Sequence, residues 1–299
     1  MGTPKFKISQ LYFRVNRLSM LRYWAFHTIM EDGGGIPMIT IQEAIHRIQQ
    51  EVPGEIPADT VDTFKIGDPA RALTGIATTF IATCSVIEQA ADVGANLIIT
   101  HEPTFFNHRD EVEWLQKDAV YHSKRRLLEE KGITIWRFHD GWHAIQPDGI
   151  LEGTLRKLGW KPYQDASTPY LLRLPPQTLE ELGLFLKGKL AAPSLRVAGP
   201  RELVCNAAAL IPGSVWGEMQ VEVLGRPDVD VLICGEAPEW QTAEYVRDAV
   251  ACGRPKGLII LGHERSEEAG MAYLVEWLGE RLPEVPIHYL PAGDPIWFL

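Results

Sequence analysis

Three short segments of the chain place a histidine beside a carboxylate or a second histidine, the side chains that transition metals prefer as protein ligands. The segments are Thr100 to Pro103, His139 to His143 and Gly262 to Glu267, and each follows directly on a predicted strand. In open α/β sheets, ligand sites form at the carboxyl ends of strands. The sequence therefore predicts that three segments far apart in the chain converge on one metal centre.

Two of these segments carry their histidines at helical spacing. His139 and His143 are four positions apart, and so are His263 and Glu267. If either segment forms a helix, its pair shares one face and can bind one ion or two neighbouring ions.

The remaining segment supplies adjacent residues, His101 and Glu102, which at the end of a strand are expected to point apart. That geometry suits one ligand to each of two ions. The whole set suits Zn²⁺, Fe²⁺, Mn²⁺ or Co²⁺ and is too rich in nitrogen for a dedicated Ca²⁺ or Mg²⁺ site. The predicted metal ligands are His101, Glu102, His139, His143, His263 and Glu267.

Such a centre would favour hydrolysis of an anionic substrate. Two divalent ions and a bridging hydroxide would stay positive, because only Glu102 and Glu267 offset their charge. The centre would attract an anionic small molecule, such as a nucleotide, and supply a nucleophile at neutral pH. Glu264 and Glu236 are predicted as catalytic residues, each a base behind the metal ligands.

Every single histidine also has a plainer interpretation, because nine histidines in 299 residues are unremarkable. Spacing alone therefore leaves open a protein without metal, whose histidines are incidental. Cys234 also lies at a strand end, but without a neighbouring histidine in sequence it is interpreted as a packed residue. Packing or surface roles are assigned to His27, His46, His108, His122 and His288.

The bulk composition excludes several classes of protein. A formal net charge of −10 disfavours general nucleic-acid binding, because neutralising phosphates needs a basic surface. The chain offers no apolar stretch near the roughly 20 residues needed to span a bilayer. Its four cysteines form no C-x-x-C pair, which argues against a disulfide framework and a thiolate zinc site. The expected location is the cytoplasm.

The order of predicted elements indicates an α/β fold, with helices on the faces of the sheets. Residues 94–103 and 228–238 echo each other, since each contains a helix end, an apolar strand and then a glutamate. The echo predicts two similar α/β halves that face each other, with the metal site in the cleft between them. Chance similarity between two buried strands explains the echo equally well.

The predicted halves span residues 38–160 and 201–299, and residues 161–200 connect them. Residues 1–37 are interpreted as an extension outside the main fold. Their mixture of basic and aromatic residues differs from the chain that follows, and Gly33-Gly34-Gly35 marks a flexible joint.

The histidine segments also carry a resemblance to a known family. Its usual pattern is an apolar strand ending in His-His, then His-x-x-x-Asp, then Gly-His-x-x-x-Glu near the C-terminus. Here the matching segments, in order, are Leu97 to Pro103, His139 to His143 and Gly262 to Glu267. Cys234-Gly235-Glu236 stands where Thr-Gly-Glu is frequent. The chain therefore resembles the NIF-three-like (NGG-one-interacting-factor-like) family over about residues 38–299.

The resemblance departs at two of the predicted ligands. Glu102 stands where histidine is usual, and His143 stands where aspartate is usual. Both versions contain four imidazoles and two carboxylates, so the changes offset each other if both side chains serve the same metal. We therefore expect Glu102 and His143 to point into the cluster.

The resemblance implies a two-halved α/β fold with a dinuclear metal site, often assembled as a hexameric ring. Many members carry the label GTP cyclohydrolase I type 2, a reaction in which metal-activated water opens a purine ring. The expected function is a metal-dependent hydrolase of a nucleotide or other phosphorylated small molecule, within a homo-oligomer. The alternative is a metal-binding regulatory or interaction protein without turnover, which would have a closed coordination shell.

Overall fold

A computed structural model describes residues 39–55 and 57–299, and the predicted extension, residues 1–37, lies outside this part of the chain. Residues 40–299 form one compact unit. The strands are Phe64–Ile66 (β1), Ile76–Thr79 (β2), Leu97–Thr100 (β3), Thr134–Arg137 (β4), Leu171–Thr178 (β5), Arg196–Ala198 (β6), Val204–Ile211 (β7), Val231–Cys234 (β8), Gly257–Ile260 (β9) and Ile287–Tyr289 (β10). The α-helices are Ile41–Gln50 (α1), Cys84–Asp92 (α2), Ala119–Lys131 (α3), Asp140–Ala144 (α4), Gly149–Leu158 (α5), Leu179–Lys189 (α6), Gly217–Gly225 (α7), Glu244–Ala251 (α8) and His263–Arg281 (α9).

The strands form two five-stranded sheets, in the orders β1-β4-β3-β2-β10 and β5-β7-β8-β9-β6. The inner strands of each sheet are parallel. The edge strands β1, β5 and β6 are antiparallel to their neighbours, whereas the edge strand β10 pairs with β2 in parallel. This arrangement confirms the predicted α/β class. The two strands that echo each other in sequence, β3 and β8, occupy the central position of their sheets.

Local sequence explains why these elements form where they do. The residues of β3 and β8 are all buried, as expected for continuous apolar runs in parallel sheets. The carboxylates of Asp118 and Asp148 accept backbone N–H groups at the starts of α3 and α5. Both helices end at glycines in the left-handed conformation, Gly132 and Gly159. Within the described residues, no helix is long and apolar enough to cross a bilayer.

The long helix α9 connects the two sheets. It packs along α5 so closely that a Cβ on Gly270 would lie 2.5 Å from the Ile150 Cα. The Thr154 hydroxyl donates to the Ser266 carbonyl, and the Thr78 hydroxyl donates to the Met271 carbonyl. After α9, the chain returns to the first sheet as β10, which pairs with β2. The first turn of α9 is thereby held beside the carboxyl ends of β3 and β4.

Candidate metal centre

The first part of the site lies where β3 ends. Thr100 is the last paired residue, and the chain then turns, with the Thr100 hydroxyl donating to the Glu102 carbonyl. Because of this turn, His101 and Glu102 do not point apart as the sequence predicted. Each offers a ligand atom to one group with Glu267, and the three atoms lie within 4.8 Å of one another. We call His101, Glu102 and Glu267 the carboxylate group.

The second part is the short helix α4 with the residue before it, His139, two positions after the end of β4. Its two histidines lie on one face, as their spacing predicted, with ring centroids 5.0 Å apart. The His101 ring stacks on His139 at 4.5 Å and meets His143 edge-on at 5.1 Å. One ring nitrogen from each of the three lies within 4.8 Å of the others. We call His101, His139 and His143 the three-histidine group.

The third part is the first turn of α9. His263 and Glu267 share a face, with 3.2 Å between the His263 Nε2 and the Glu267 Oε2. The same carboxylate oxygen lies 3.5 Å from the His101 Nε2, and the His263 Nε2 lies 3.7 Å from the Glu102 Oε1. The structure therefore brings all six predicted ligands together, including the two that depart from the family pattern. His101, fully buried, belongs to both groups.

Carboxylates outside the cluster orient the two histidines of α4. The Nδ1 of His139 lies 2.9 Å from the Asp140 Oδ1, and the Nδ1 of His143 lies 2.9 Å from the Asp148 Oδ2. Asp148 performs two roles, since its Oδ1 also accepts the Leu151 N–H at the start of α5. Sequence reasoning missed both carboxylates as site residues, although each follows its histidine within a few positions of the same segment.

The other two histidines are held at Nδ1 as well. Glu236, predicted as a base, lies 2.8 Å from the His263 Nδ1, and the Phe138 carbonyl lies 3.3 Å from the His101 Nδ1. An acceptor at one ring nitrogen fixes the tautomer and leaves the opposite nitrogen as the ligand atom. Each of the four imidazoles therefore has its Nε2 available as the ligand atom.

The pKa values of the histidines in the cluster are shifted in different directions. Burial, with the charges of His139 and His143, holds the pKa of His101 well below its usual range. Burial also lowers the pKa of His139 to about 4. For His263, burial is outweighed by the nearby carboxylate of Glu267, 3.2 Å away, which raises the pKa to about 9. His101 and His139 are therefore neutral at pH 7, as metal ligands must be. For His143, burial is outweighed by the hydrogen bond and charge of Asp148, which raise its pKa, and a proton on His263 offsets the neighbouring carboxylates.

Two buried atoms of the cluster make no hydrogen bond to the described residues, the His101 Nε2 and the Glu267 Oε2. A buried polar atom without a partner costs about 1–3 kcal/mol, so such atoms are rare and call for an explanation. Both atoms belong to the carboxylate group and lie 3.5 Å apart. A cation between them would satisfy both, and the nitrogen-rich donor set fits a divalent transition metal.

Glu264, the other predicted base, lies outside both groups. It is buried in the first turn of α9, and burial together with the nearby Glu268 raises the pKa of its carboxyl. His108, interpreted from sequence as a packed or surface residue, stands at the rim of the site with its ring centroid 6.0 Å from that of His139. The spacing of residues in the sequence does not predict this position, because a long loop returns His108 to the site.

Arg137 is a further residue that sequence reasoning missed. The last residue of β4, it is fully buried, and its Nη2 lies 3.6 Å from the Glu102 Oε2. Its Nε and Nη1 donate to the carbonyls of His101 and His108. Arg137 therefore fixes both ends of the loop that carries Glu102, and it holds the carboxylate oxygen that faces away from the histidines.

A cavity of about 700 Å³ opens beside these residues. Glu102, Glu236 and His263 line one side of it. The rest of the lining includes apolar side chains, two arginines and two further carboxylates, among them Phe80, Ile81, Ile296, Phe298, Arg196, Arg265, Glu264 and Asp294. The volume is in the range of ligand-binding clefts, about 300–1,000 Å³.

Gly213 gives a test of how tightly the cluster is enclosed. A Cβ at this position would lie 2.2 Å from the Glu267 Oε1, and the residue has a φ of 73°. We expect Gly213→Ala to displace the Glu267 carboxylate, to cost about 1–3 kcal/mol of stability and to reduce Zn²⁺ affinity measured by calorimetry. Gly253→Ala is the matched control, because Gly253 has a φ of 72° and no atom near the added Cβ. Equal Zn²⁺ affinity in the two variants would contradict the close packing of Gly213 on the site.

Comparison with known proteins places this site in a family context. The Duf34/NIF3 family (NGG1p interacting factor 3) matches residues 40–295. A relative from Clostridium perfringens, named GTP cyclohydrolase 1 type 2 homolog, is 24% identical over 247 residues, or 78% of this chain and 89% of the relative.

Solved structures of low sequence identity share the fold. A Bacillus cereus protein related to NIF3 superposes with a TM-score of 0.72 at 14% identity, covering 88% of this chain and 100% of that one. A Staphylococcus aureus protein gives a TM-score of 0.70 at 21% identity, with the same coverage. The match of the family model over residues 40–295 shows that the chain belongs to the Duf34/NIF3 family.

Proposed function

We propose that the protein is a metal-dependent hydrolase with two divalent transition-metal ions. The observation that carries the proposal is the orientation of the four histidines. Each is held at Nδ1 by an acceptor outside the cluster, in an arrangement that presents the other nitrogen inward. Incidental histidines would not share one such arrangement across three separate segments.

The two overlapping groups are the proposed binding sites. The three-histidine group would hold one ion. The carboxylate group, with His263 beside it, would hold the other, and Glu267 lies close enough to both sides to bridge them. When bound, such ions supply a Lewis acid and lower the pKa of a bound water toward 7.

The residues of the chain then bind and orient the substrate. The cavity beside the site presents Arg196 and Arg265, whose cations would face an anionic group. Its apolar wall would exclude water from one side of the substrate. Glu236 and Glu264 also line the cavity and are the proposed proton acceptors.

The proposed substrate is a nucleotide or another phosphorylated small molecule. The Clostridium perfringens relative is named GTP cyclohydrolase 1 type 2 homolog. A cavity of about 700 Å³ is large enough for a molecule of this size.

The first experiment measures metal content by plasma mass spectrometry in protein purified without a histidine tag. We expect about two equivalents of a transition metal in the wild type, as in dinuclear hydrolases, and a clear reduction in His263→Ala. His122→Ala is the control, since His122 is exposed and bonds the Gln116 carbonyl away from the site. The loaded protein is then assayed for hydrolysis of GTP and p-nitrophenyl phosphate.

Two results would count against this function. Protein that takes up no metal, even after incubation with Zn²⁺, Mn²⁺, Fe²⁺ and Co²⁺, would refute the metal centre. Protein that binds metal but hydrolyses neither compound would favour a regulatory or interaction role without turnover, particularly if spectroscopy of a Co²⁺-loaded sample showed a closed coordination shell.

We also propose that the chain forms a homo-oligomer in the cytoplasm, a hexamer as the family resemblance implies. Exposed apolar side chains support an interface, because monomers rarely expose several large ones together. Trp216 and Trp240 are examples, with 83% and 77% of their surface exposed. Sedimentation velocity tests the assembly, and a monomer at micromolar concentration would contradict it.

A further inference from the structure

Asp62 lies buried behind the cluster. Its carboxylate bonds the backbone of His139 but not the side chain of any predicted ligand. Its position follows from sheet register. In the antiparallel pair β1–β4, Phe64 lies opposite Trp136, so the residues before β1 lie beside the chain that leaves β4. The indole N–H of Trp136 donates to the Asp62 carbonyl and helps to hold the segment there.

The carboxylate of Asp62 accepts three consecutive backbone N–H groups at the start of α4. Its Oδ1 lies 2.7 Å from the His139 N and 3.0 Å from the Asp140 N, and its Oδ2 lies 2.7 Å from the Gly141 N. Free N–H groups at a helix start need acceptors, and α4 has no side-chain cap of its own. Asp62 therefore acts as the cap of α4 from a distant part of the chain.

The surrounding residues leave little freedom in this contact. A Cβ on Gly141 would lie 2.9 Å from the Asp62 Oδ2 and 2.6 Å from the Phe138 ring, so the close approach of the amide depends on glycine. In return, Asp140 accepts the Thr60 hydroxyl at 2.8 Å. The two segments are thus held by reciprocal bonds, directly behind the first histidine of α4.

We propose that Asp62 is a positioning residue of the metal centre, which sets the direction of α4 and thereby the separation of His139 and His143 from His101. This inference rests on the proposed function, because it assigns a role toward the bound metal. The three rings lie within 4.5 to 5.1 Å of one another. Because α4 is only about one turn long, no second turn restrains its direction. A small rotation of α4 would therefore separate the three rings.

The test compares two aspartates that cap helices. Asp62→Ala removes the cap of α4, and Asp118→Ala removes the cap of α3, where the Asp118 carboxylate accepts the Tyr121 N–H and bonds none of the predicted metal ligands. We expect Asp62→Ala to weaken Zn²⁺ binding, measured by competition with a chromophoric chelator, by about 10- to 100-fold. Asp118→Ala should lower the melting temperature as well but keep wild-type Zn²⁺ affinity.

Asp62→Asn provides a second variant in case the alanine protein does not fold. Its amide keeps one acceptor oxygen, so we expect an intermediate loss of about tenfold in Zn²⁺ affinity. Wild-type affinity in a folded Asp62 variant, or an equal loss in Asp118→Ala, would overturn the positioning role alone. A wild-type protein that binds no Zn²⁺ would overturn the proposed function, and this role with it.

Discussion

Replacing His101 with leucine is expected to abolish metal binding and yet leave the metal-free protein at least as stable as the wild type. His101 belongs to both groups of ligands, so its loss removes a donor from each proposed ion. Its side chain is fully buried, and the Nε2 makes no hydrogen bond to the described residues. The pKa of His101 lies well below its usual range because of burial, so the metal-free protein cannot relieve this cost by protonation.

The expected stability change follows from the same atom. An unsatisfied buried polar group costs about 1–3 kcal/mol of stability. Leucine fills a similar volume and has no polar atom, so the substitution removes this cost. The loss of the 3.3 Å contact from Nδ1 to the Phe138 carbonyl offsets part of this gain. Urea denaturation with a chelator present measures the stability of the metal-free protein. The rise in melting temperature on adding Zn²⁺ measures metal binding.

His122→Leu is the matched control, since it makes the same chemical change at an exposed position. It should alter neither the stability of the chelated protein nor the stabilisation by Zn²⁺. A His101→Leu protein that is destabilised by several kcal/mol without metal would show that the buried imidazole serves the fold. The unsatisfied Nε2 of His101 would then be no evidence that this residue binds a metal.

Much of this site could be predicted from sequence because its parts follow local rules. The apolar run of β3 ends at Thr100, and the four-residue spacing of His263 and Glu267 places both on one face of α9. Ligands at the ends of parallel strands converge because those strands point the same way. Chain order and period, together with the family resemblance, therefore predicted the six residues that the structure brings together.

The residues behind the ligands depend on long-range register, which spacing does not encode. Asp62 reaches α4 only because β1 pairs with β4 in one particular register, and Arg137 reaches Glu102 across the end of β3. The opposite directions predicted for His101 and Glu102 were wrong for a related reason. The alternation of side chains holds within a strand, and pairing stops at Thr100.

Restoring the residue usual in the family, by Glu102→His, is expected to destabilise this protein by about 3–5 kcal/mol, as breaking a buried ion pair does. Arg137 is fully buried, and the nearest carboxylate oxygen is the Glu102 Oε2 at 3.6 Å. Burial lowers the pKa of Arg137, and Glu102 is the foremost charge that opposes this shift. Without Glu102, the guanidinium would lose its main counter-charge.

The change at position 102 therefore cannot be considered apart from Arg137. In the double variant Glu102→His with Arg137→Met, the buried cation is also removed, so the destabilisation should be smaller than the sum of the two single effects. Full recovery is not expected, because Arg137→Met leaves the carbonyls of His101 and His108 without their donor. Urea denaturation of all four proteins at pH 8, with a chelator, gives the coupling energy.

Glu102→Gln separates charge from shape in this cycle. It keeps the size of the side chain and removes only the charge, so it should lose nearly as much stability as Glu102→His. Additive effects in the double variant, or a Glu102→Gln protein as stable as the wild type, would mean that Arg137 is neutralised by other carboxylates. If the coupling is found, histidine at position 102 is incompatible with arginine at 137. The departure of this chain from the family pattern would then be a paired change, in which a buried cation determines the ligand beside it.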